Sequence, residues 1–320
     1  MDLKEKIYCE LVRADGRYCS GEALAEKFGV SRNAVWKAVK AIEQEGGVLS
    51  CIRKRGYALV SGDLLTAATV GALLGDGFKV GVVKETSSTN DDARALAGQG
   101  APSWTAVIAE TQTSGRGRFS RPFYSPASNG LYMSVLMRPH LAAKDTLYLT
   151  TCAAVAVAEA IEAVSGKYAE IKWVNDVYIQ GKKVSGILTE ASFDIESNTL
   201  GYAIVGIGVN VRGTIPQEAA PNAASVFGEG AVPVQPRARL AAEILKRLRF
   251  YCEHIEERSF FEEYKRRCFV IGREVKVYTG SVSEEGVAVG LDENCFLKVR
   301  FKDGAVKTIS AGEISIKVNF

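Results

Sequence analysis

Histidine is nearly missing from this 320-residue chain, which has only His140 and His254. Cysteine is present but scattered: Cys9, Cys19, Cys51, Cys152, Cys252, Cys268 and Cys295 are odd in number and never spaced as metal-ligand pairs. Those two facts argue against a zinc site and a disulfide framework, and favour reduced, structural thiols in a cytoplasmic protein. Charge of one sign is also lacking, since the net charge is +3, so any nucleic-acid contact must come from a local patch. No uninterrupted apolar run reads as a membrane helix, and the start, Met1-Asp2-Leu3-Lys4-Glu5-Lys6, is charged and unlike a signal peptide. Internal repeats and low-complexity tails are absent. What remains is an ordinary globular composition, 47% hydrophobic and 24% charged, long enough for two or three domains.

The chain is organised around Glu110–Arg121, which follows the apolar run Ala106–Ala109 and precedes a turn-rich segment ending at Gly130. Arg116, Arg118 and Arg121 alternate with Gly115, Gly117 and small or polar residues. With little apolar surface to bury, the stretch reads as a mobile loop. Its glycines allow close backbone approach, and its guanidinium forks match phosphate oxygens. A loop that orders around a phosphate-bearing ligand is one reading. A solvated basic loop, or a Gly/Arg nucleic-acid contact, is the other.

Residues 1–61 read as a winged helix-turn-helix. Leu3, Ile7, Leu11 and Val12 keep helical spacing; Ser20 caps a helix over Gly21–Phe28; Gly29 turns; Ser31 caps a third helix to about Glu45. Arg32, Asn33, Trp36, Lys37 and Lys40 fall on its outward face, and Arg53-Lys54-Arg55 sits between two strand-like runs as a wing. DNA binding through Ser31, these side chains and the wing competes with a protein-interaction module.

Residues 62–268 read as a mixed α/β unit, with no βαβ rhythm of a doubly wound sheet. Ser87–Asp92 opens a helix over Ala93–Ala97, and strands are expected at Lys79–Glu85, Gly130–Met137, Lys183–Ala191 and Thr199–Val209. Asp145–Val164 is a long alanine-rich helix, and 211–235 is an irregular loop of the length of a lid. From 269 to 320, short strands separated by turns, one placed at Glu284-Glu285, have the rhythm of a small β-barrel.

Four motifs occur in order: Ser88-Thr89-Asn90, Gln112 followed by Gly115-Arg116-Gly117-Arg118, Lys172-Trp173-Val174-Asn175-Asp176, and Lys183-Val184-Ser185-Gly186-Ile187-Leu188, with Gly206–Asn210 beyond. With that set the whole chain resembles the biotin protein ligases, in the bifunctional class that doubles as the biotin operon repressor. The resemblance implies an α/β (α+β) fold: an N-terminal winged helix-turn-helix, a class II synthetase-like core and a C-terminal SH3-like barrel. It also implies that biotin and ATP, with Mg2+, give biotinyl-AMP and pyrophosphate, and that biotin then passes to one lysine of a carboxylase's carrier domain.

By the same resemblance Ser88, Thr89, Asn90, Gln112, Gly115, Arg116, Gly117, Arg118, Lys183, Gly186 and Gly206 bind biotin. Arg118, Arg121, Lys172, Asn175, Asp176, Lys183 and Asn210 bind nucleotide, and Lys183 and Arg118 are catalytic. Asn175 and Asp176 could also recruit magnesium, although no metal ligand set is assigned. Operator DNA and an adenylate-dependent homodimer are the remaining implied partners. Phe119-Ser120 stands where the family has Arg-Gly, and Pro122-Phe123-Tyr124 where a tryptophan usually follows. A lipoate-attaching relative and a non-catalytic ligand sensor are the competing readings.

Overall fold

The computed structural model describes residues 1–142, 145–194, 199–279, 282–310 and 312–316. At the N-terminus α1 (Leu3–Ala14), α2 (Gly21–Phe28) and α3 (Arg32–Gln44) pack around Ile7, Leu11, Leu24, Val35, Val39 and Ile42. Local chemistry sets each boundary. The Ser20 hydroxyl accepts from the amides of Glu22 and Ala23, Gly29 closes α2 in the left-handed region, and Ser31 Oγ accepts from Ala34 N–H. A hairpin of β1 (Val48–Ile52) and β2 (Gly56–Ser61) follows, with Arg53, Lys54 and Arg55 exposed at its turn.

The central unit is one seven-stranded sheet, formed by β3 (Lys79–Thr86), β4 (Thr105–Gln112), β5 (Gly130–Met137), β6 (Glu170–Lys172), β7 (Asp176–Ile179), β8 (Lys182–Asp194) and β9 (Thr199–Asn210). Its order is β3-β4-β5-β9-β8-β7-β6, and only the β3–β4 pair is parallel. On one face lie α4 (Ala67–Leu73), α6 (Thr146–Ser165) and α7 (Pro236–Glu253); α5 (Thr89–Gly98) lies on the other. Strand alternation divides the side chains. Met133, Val135, Val205, Ile207 and Val209 enter the main core, whereas Leu136 and Ile204 meet Ala93 and Ala97 of α5. Gly206 and Gly208 share the α5 face, and their lack of side chains leaves a hollow there.

Helix α6 is long and apolar enough, by length and composition, to cross a membrane, its only charged residues being Glu159 and Glu162. It is instead buried nearly all round from Tyr148 to Ile161, as the central core helix of a large α/β unit must be.

The C-terminal segment, after α8 (Phe261–Arg267), forms a five-stranded antiparallel sheet: β10 (Glu274–Thr279), β11 (Val282–Leu291), β12 (Leu297–Phe301), β13 (Val306–Ile309) and β14 (Glu313–Ile316). The last strand returns beside β10, the connectivity of a small barrel. Glu284 and Glu285 do not turn: they lie in β11 opposite Val277 and Lys276, and their charges are met by Lys307 (3.4 Å) and Lys302 (2.9 Å). Residues 317–320 of the expected 269–320 unit lie outside the described residues.

The helix-turn-helix is bolted to the core. Arg13 Nε donates to the Ala72 carbonyl, Tyr8 pairs with Gln235, and Leu64, Leu73 and Val234 extend the small core. Beneath this contact Arg237, 2% exposed, joins Asp63 (Nε–Oδ2 2.6 Å) to Glu110 at the end of β4. Burial opposes its charge, and the two carboxylates outweigh that opposition, raising its pKa.

Candidate functional site

The hollow on the α5 face opens into a cavity of about 430 Å³. One wall is the start of α5. This helix begins at Thr89, four residues before the expected Ala93, because the Ser88 carbonyl already accepts from the amides of Asp91 and Asp92, although the Ser88 hydroxyl makes no cap bond. Ser88, Thr89 and Asn90 are therefore buried on its first turn and face the cavity. Gln112 is the last residue of β4, not part of a loop, and its Oε1 accepts from Thr89 N–H at 2.9 Å. Ser134 of β5, which sequence reasoning missed, lies 2.6 Å from Asn90 Oδ1 and 2.7 Å from Thr89 Oγ1. Its period-2 position opposite Gly206 was the available signal.

Across the cavity lies the arginine segment, folded back on itself as a flap. Phe123 N–H donates to the Gly115 carbonyl and Gly117 N–H to that of Arg121, each at 2.8 Å. At its tip Phe119 and Ser120 both have φ near +55°, a conformation that favours glycine. Arg116, Gly117, Arg118 and Arg121 line the cavity, and Phe119 stands exposed at the tip near the guanidiniums of Arg118 and Arg121. Gly115 does not line it. A Cβ there would come 2.6 Å from Ser125 Oγ and 2.7 Å from the Phe123 carbonyl, so this glycine lets the flap pack against its own return strand. The Phe123 ring covers Gly208, where a Cβ would meet it at 2.5 Å.

The far end is cationic. Lys172, Asn175 and Asp176 arrive from the β6–β7 turn, Lys183 and Gly186 from β8, Asn210 from β9, and all line the cavity. Lys183 Nζ is 2.7 Å from Asp176 Oδ1, with the lysine side chain 31% exposed. Gly186 makes room for it, since a Cβ there would sit 3.3 Å from Lys183 Cε and Nζ. Arg118 donates to Asn175 Oδ1 (3.2 Å) and to the Gly312 carbonyl (2.8 Å), tying the flap to the C-terminal sheet, whose Ile314 also lines the cavity. The loop 211–235 closes the floor: Lys183 N–H donates to the Asn222 carbonyl and Ala224 N–H to that of Lys183. Arg212 donates to the Ser128 carbonyl and lies outside the cavity lining, whereas Trp173 contributes to the lining but is packed at 4% exposure with its ring N–H on the Cys295 carbonyl.

Five cationic side chains (Arg116, Arg118, Arg121, Lys172 and Lys183) and one carboxylate, Asp176, thus line the cavity together with the neutral amides and hydroxyls of Ser88, Thr89, Asn90 and Gln112. Such a cavity suits an elongated ligand with a polar uncharged head and an anionic tail.

A second candidate surface lies on the N-terminal unit. Arg32, Asn33, Trp36, Lys37 and Lys40 are exposed on α3, the indole at 49%. Arg32 pairs with Glu22, Lys40 with Glu43 at 2.7 Å, and Arg55 lies over the Tyr18 ring.

Three family models match in succession: an HTH domain over residues 4–58, the Biotin/lipoate A/B protein ligase family over 82–210, and the Biotin protein ligase C terminal domain over 270–317. The Bifunctional ligase/repressor BirA of Bacillus spizizenii is 33% identical, covering 93% of this chain and 94% of its own. The protein of the same name from Escherichia coli is 29% identical over 95% and 94%. Among solved structures, Biotin protein ligase from Aquifex aeolicus in complex with biotin and ATP superposes with a TM-score of 0.63 at 32% identity, covering 75% of this chain and 99% of that one. With the ligase set gathered in one cavity and a helix-turn-helix joined to it, the chain belongs to the biotin protein ligases, in the family of bifunctional ligase/repressors.

Proposed function

We propose that this ligase holds biotin with its ureido head between Ser88, Thr89, Asn90 and Gln112 and its carboxylate beside Lys183 and Arg118. Gly206 and Gly186 leave room for the ligand, and the Arg116–Arg118 flap covers it. The triphosphate of ATP lies among Arg118, Arg121, Lys172 and Lys183, with Asn175, Asp176 and Asn210 along the nucleotide side. Gly115 serves the flap's fold and not the ligand. Carriage by units at 1–61, 62–268 and 269–320 follows from this reading.

The reaction needs no side-chain nucleophile. The biotin carboxylate attacks the α-phosphorus, the bond to the β-phosphate oxygen breaks, and pyrophosphate leaves with its electron pair. The acceptor lysine's neutral amine then attacks the acyl carbon of biotinyl-AMP, giving an amide and AMP and releasing one proton. Positioning and charge neutralisation do the work: Lys183 and Arg118 meet negative charge that grows at the α-phosphate oxygens. Lys183 exchanges its pairing with Asp176 for this phosphate. Among the described residues there is no group of three metal-ligating side chains. One carboxylate and one amide, Asp176 and Asn175, fit a magnesium ion carried mainly by the triphosphate.

The exposed face of α3 and the wing, from Ser31 to Lys40 and Arg53 to Arg55, bind operator DNA of biotin genes. Biotinyl-AMP acts as corepressor by favouring a homodimer that spans two half-sites. The acceptor is the biotin carboxyl carrier domain of a biotin-dependent carboxylase, in the cytoplasm. The observation that carries the reading is the convergence of the amide–hydroxyl end and the Arg118–Lys183 end on one cavity. Biotin-dependent exchange between ATP and labelled pyrophosphate tests it. Exchange that answers to lipoate and not to biotin would favour the lipoate-attaching relatives.

A further inference from the structure

A chain of charged hydrogen bonds runs from the flap to the back of the amide pocket, through residues outside the four ligase motifs. Arg116 of the flap donates to Asp91 Oδ1 at 2.6 Å. The same oxygen accepts from Arg94 at 2.5 Å, and the other arm of Arg94 donates to Glu190 Oε2 of β8 at 2.8 Å. Glu190 Oε2 accepts in turn from Asn90 Nδ2 at 2.6 Å. Two guanidiniums and two carboxylates balance in charge, and each carboxylate oxygen is shared by two donors.

The two ends of this chain differ in what they can do. A side-chain amide offers an acceptor on one side and donors on the other, and nothing in its shape decides which faces a ligand. Here Glu190, acceptor only when ionised, takes the NH2 and so fixes Asn90 Oδ1 towards Ser134 and Gly206. At the other end, Asp91 is the post to which the flap's first arginine is tied. Both belong to elements already rigid, the first turn of α5 and the middle of β8.

We propose that Asp91 and Glu190 are positioning residues: Asp91 latches the flap through Arg116, Glu190 sets the polarity of the Asn90 amide, and Arg94 joins them so that flap and pocket order together. The proposal rests on the biotin reading only for the meaning of the pocket, since every bond of the latch is made by the chain's own side chains. A partner that donates ureido N–H groups needs an acceptor at Asn90, and a closed flap then retains the adenylate.

The test uses full-length protein carrying Asp91→Ala, Asp91→Asn, Glu190→Gln and the Asp91→Ala/Glu190→Gln pair, each with its thermal midpoint recorded. In ligand-free protein, trypsin nicking after the flap arginines is expected to quicken in both Asp91 variants, and equal nicking would overturn the latch. With ligand, Asp91→Ala should release the adenylate about tenfold faster, as loss of a charged but part-exposed hydrogen bond implies. Glu190→Gln should raise KM for biotin while leaving KM for ATP unchanged. A fall in kcat and both KM values in proportion to lost stability would assign it a merely structural role and overturn the proposal. The paired variant should show less than the product of the single effects, because Arg94 couples the sites, and simple multiplication would refute the coupling. If nicking responds as expected but the parent shows no biotin-dependent exchange, the latch stands and the biotin reading falls.

Discussion

Gly206→Ala adds one methyl group to the back wall of the proposed biotin pocket. The new Cβ would lie 2.2 Å from Asn90 Oδ1 and 3.0 Å from its Cγ, about an ångström inside ordinary contact. Asn90 has no room to yield, being 4% exposed, bonded to Glu190 and set against Ser134. No positive φ is involved, so the effect is purely steric. Overpacking of this kind costs about 1–3 kcal/mol, which as lost substrate binding corresponds to about 5- to 150-fold in KM for biotin. Gly201→Ala on the same strand is the control, since its Cβ would meet only the Ser192 carbonyl at 3.7 Å. Pyrophosphate exchange at varied biotin and saturating ATP is the assay. An unchanged biotin KM in Gly206→Ala, or an equal rise in Gly201→Ala, would refute the placement of the pocket wall.

Lys183→Ala should fold normally, since the side chain is part-exposed, but lose most pyrophosphate exchange; near-parental exchange would remove its role. Arg237→Met takes the hydrogen-bonded cation from buried Asp63, leaving only Arg212 at 4.0 Å, and should destabilise by about 3–5 kcal/mol, read from the denaturant midpoint. Trp36→Ala, with the indole half in solvent, should leave the thermal midpoint alone and weaken adenylate-dependent binding to operator DNA in a gel shift. Arg116, foremost, with Arg94 holds the Asp91 carboxyl below its ordinary 3.8. A depressed carboxylate pKa contributes stability above the unfolded value and loses it as pH falls through the folded one. Trypsin-like nicking by an acid-active protease should therefore stay slow at pH 5 and quicken only below 3.8.

Elements whose ends are set by local chemistry could be read from the chain. Ser20, Gly29 and Ser31 delimit helices by caps that need no tertiary partner, and the apolar-rich runs read as strands over Gly130–Met137 and Thr199–Val209 fall in β5 and β9. Nearly all motif residues gather in the cavity, because Arg, Lys and Gly in such spacing have few other uses. Errors fell where tertiary contact overrides local preference. Ser88 looks like a side-chain cap, yet its hydroxyl makes no cap bond and only its carbonyl accepts from the amides of Asp91 and Asp92, so the helix starts earlier than the polar run suggests. Gly115 looks like a ligand glycine but answers to Ser125 and Phe123. The strand Glu313–Ile316 is four residues long and is held by pairing with β10, which no window of sequence reveals. Ser134 and Glu190 sit inside strands, where a polar residue reads as an alternating face until its partner on α5 is seen.

One cavity joins a pocket lined by amides and hydroxyls to a cationic end that holds Lys183. Incubating purified full-length protein with ATP, labelled biotin and a carboxyl carrier domain measures that claim directly. Label is expected on a single carrier lysine, dependent on ATP and lost in Lys183→Ala. Label that fails to appear, or that appears equally with Lys183→Ala, would contradict it.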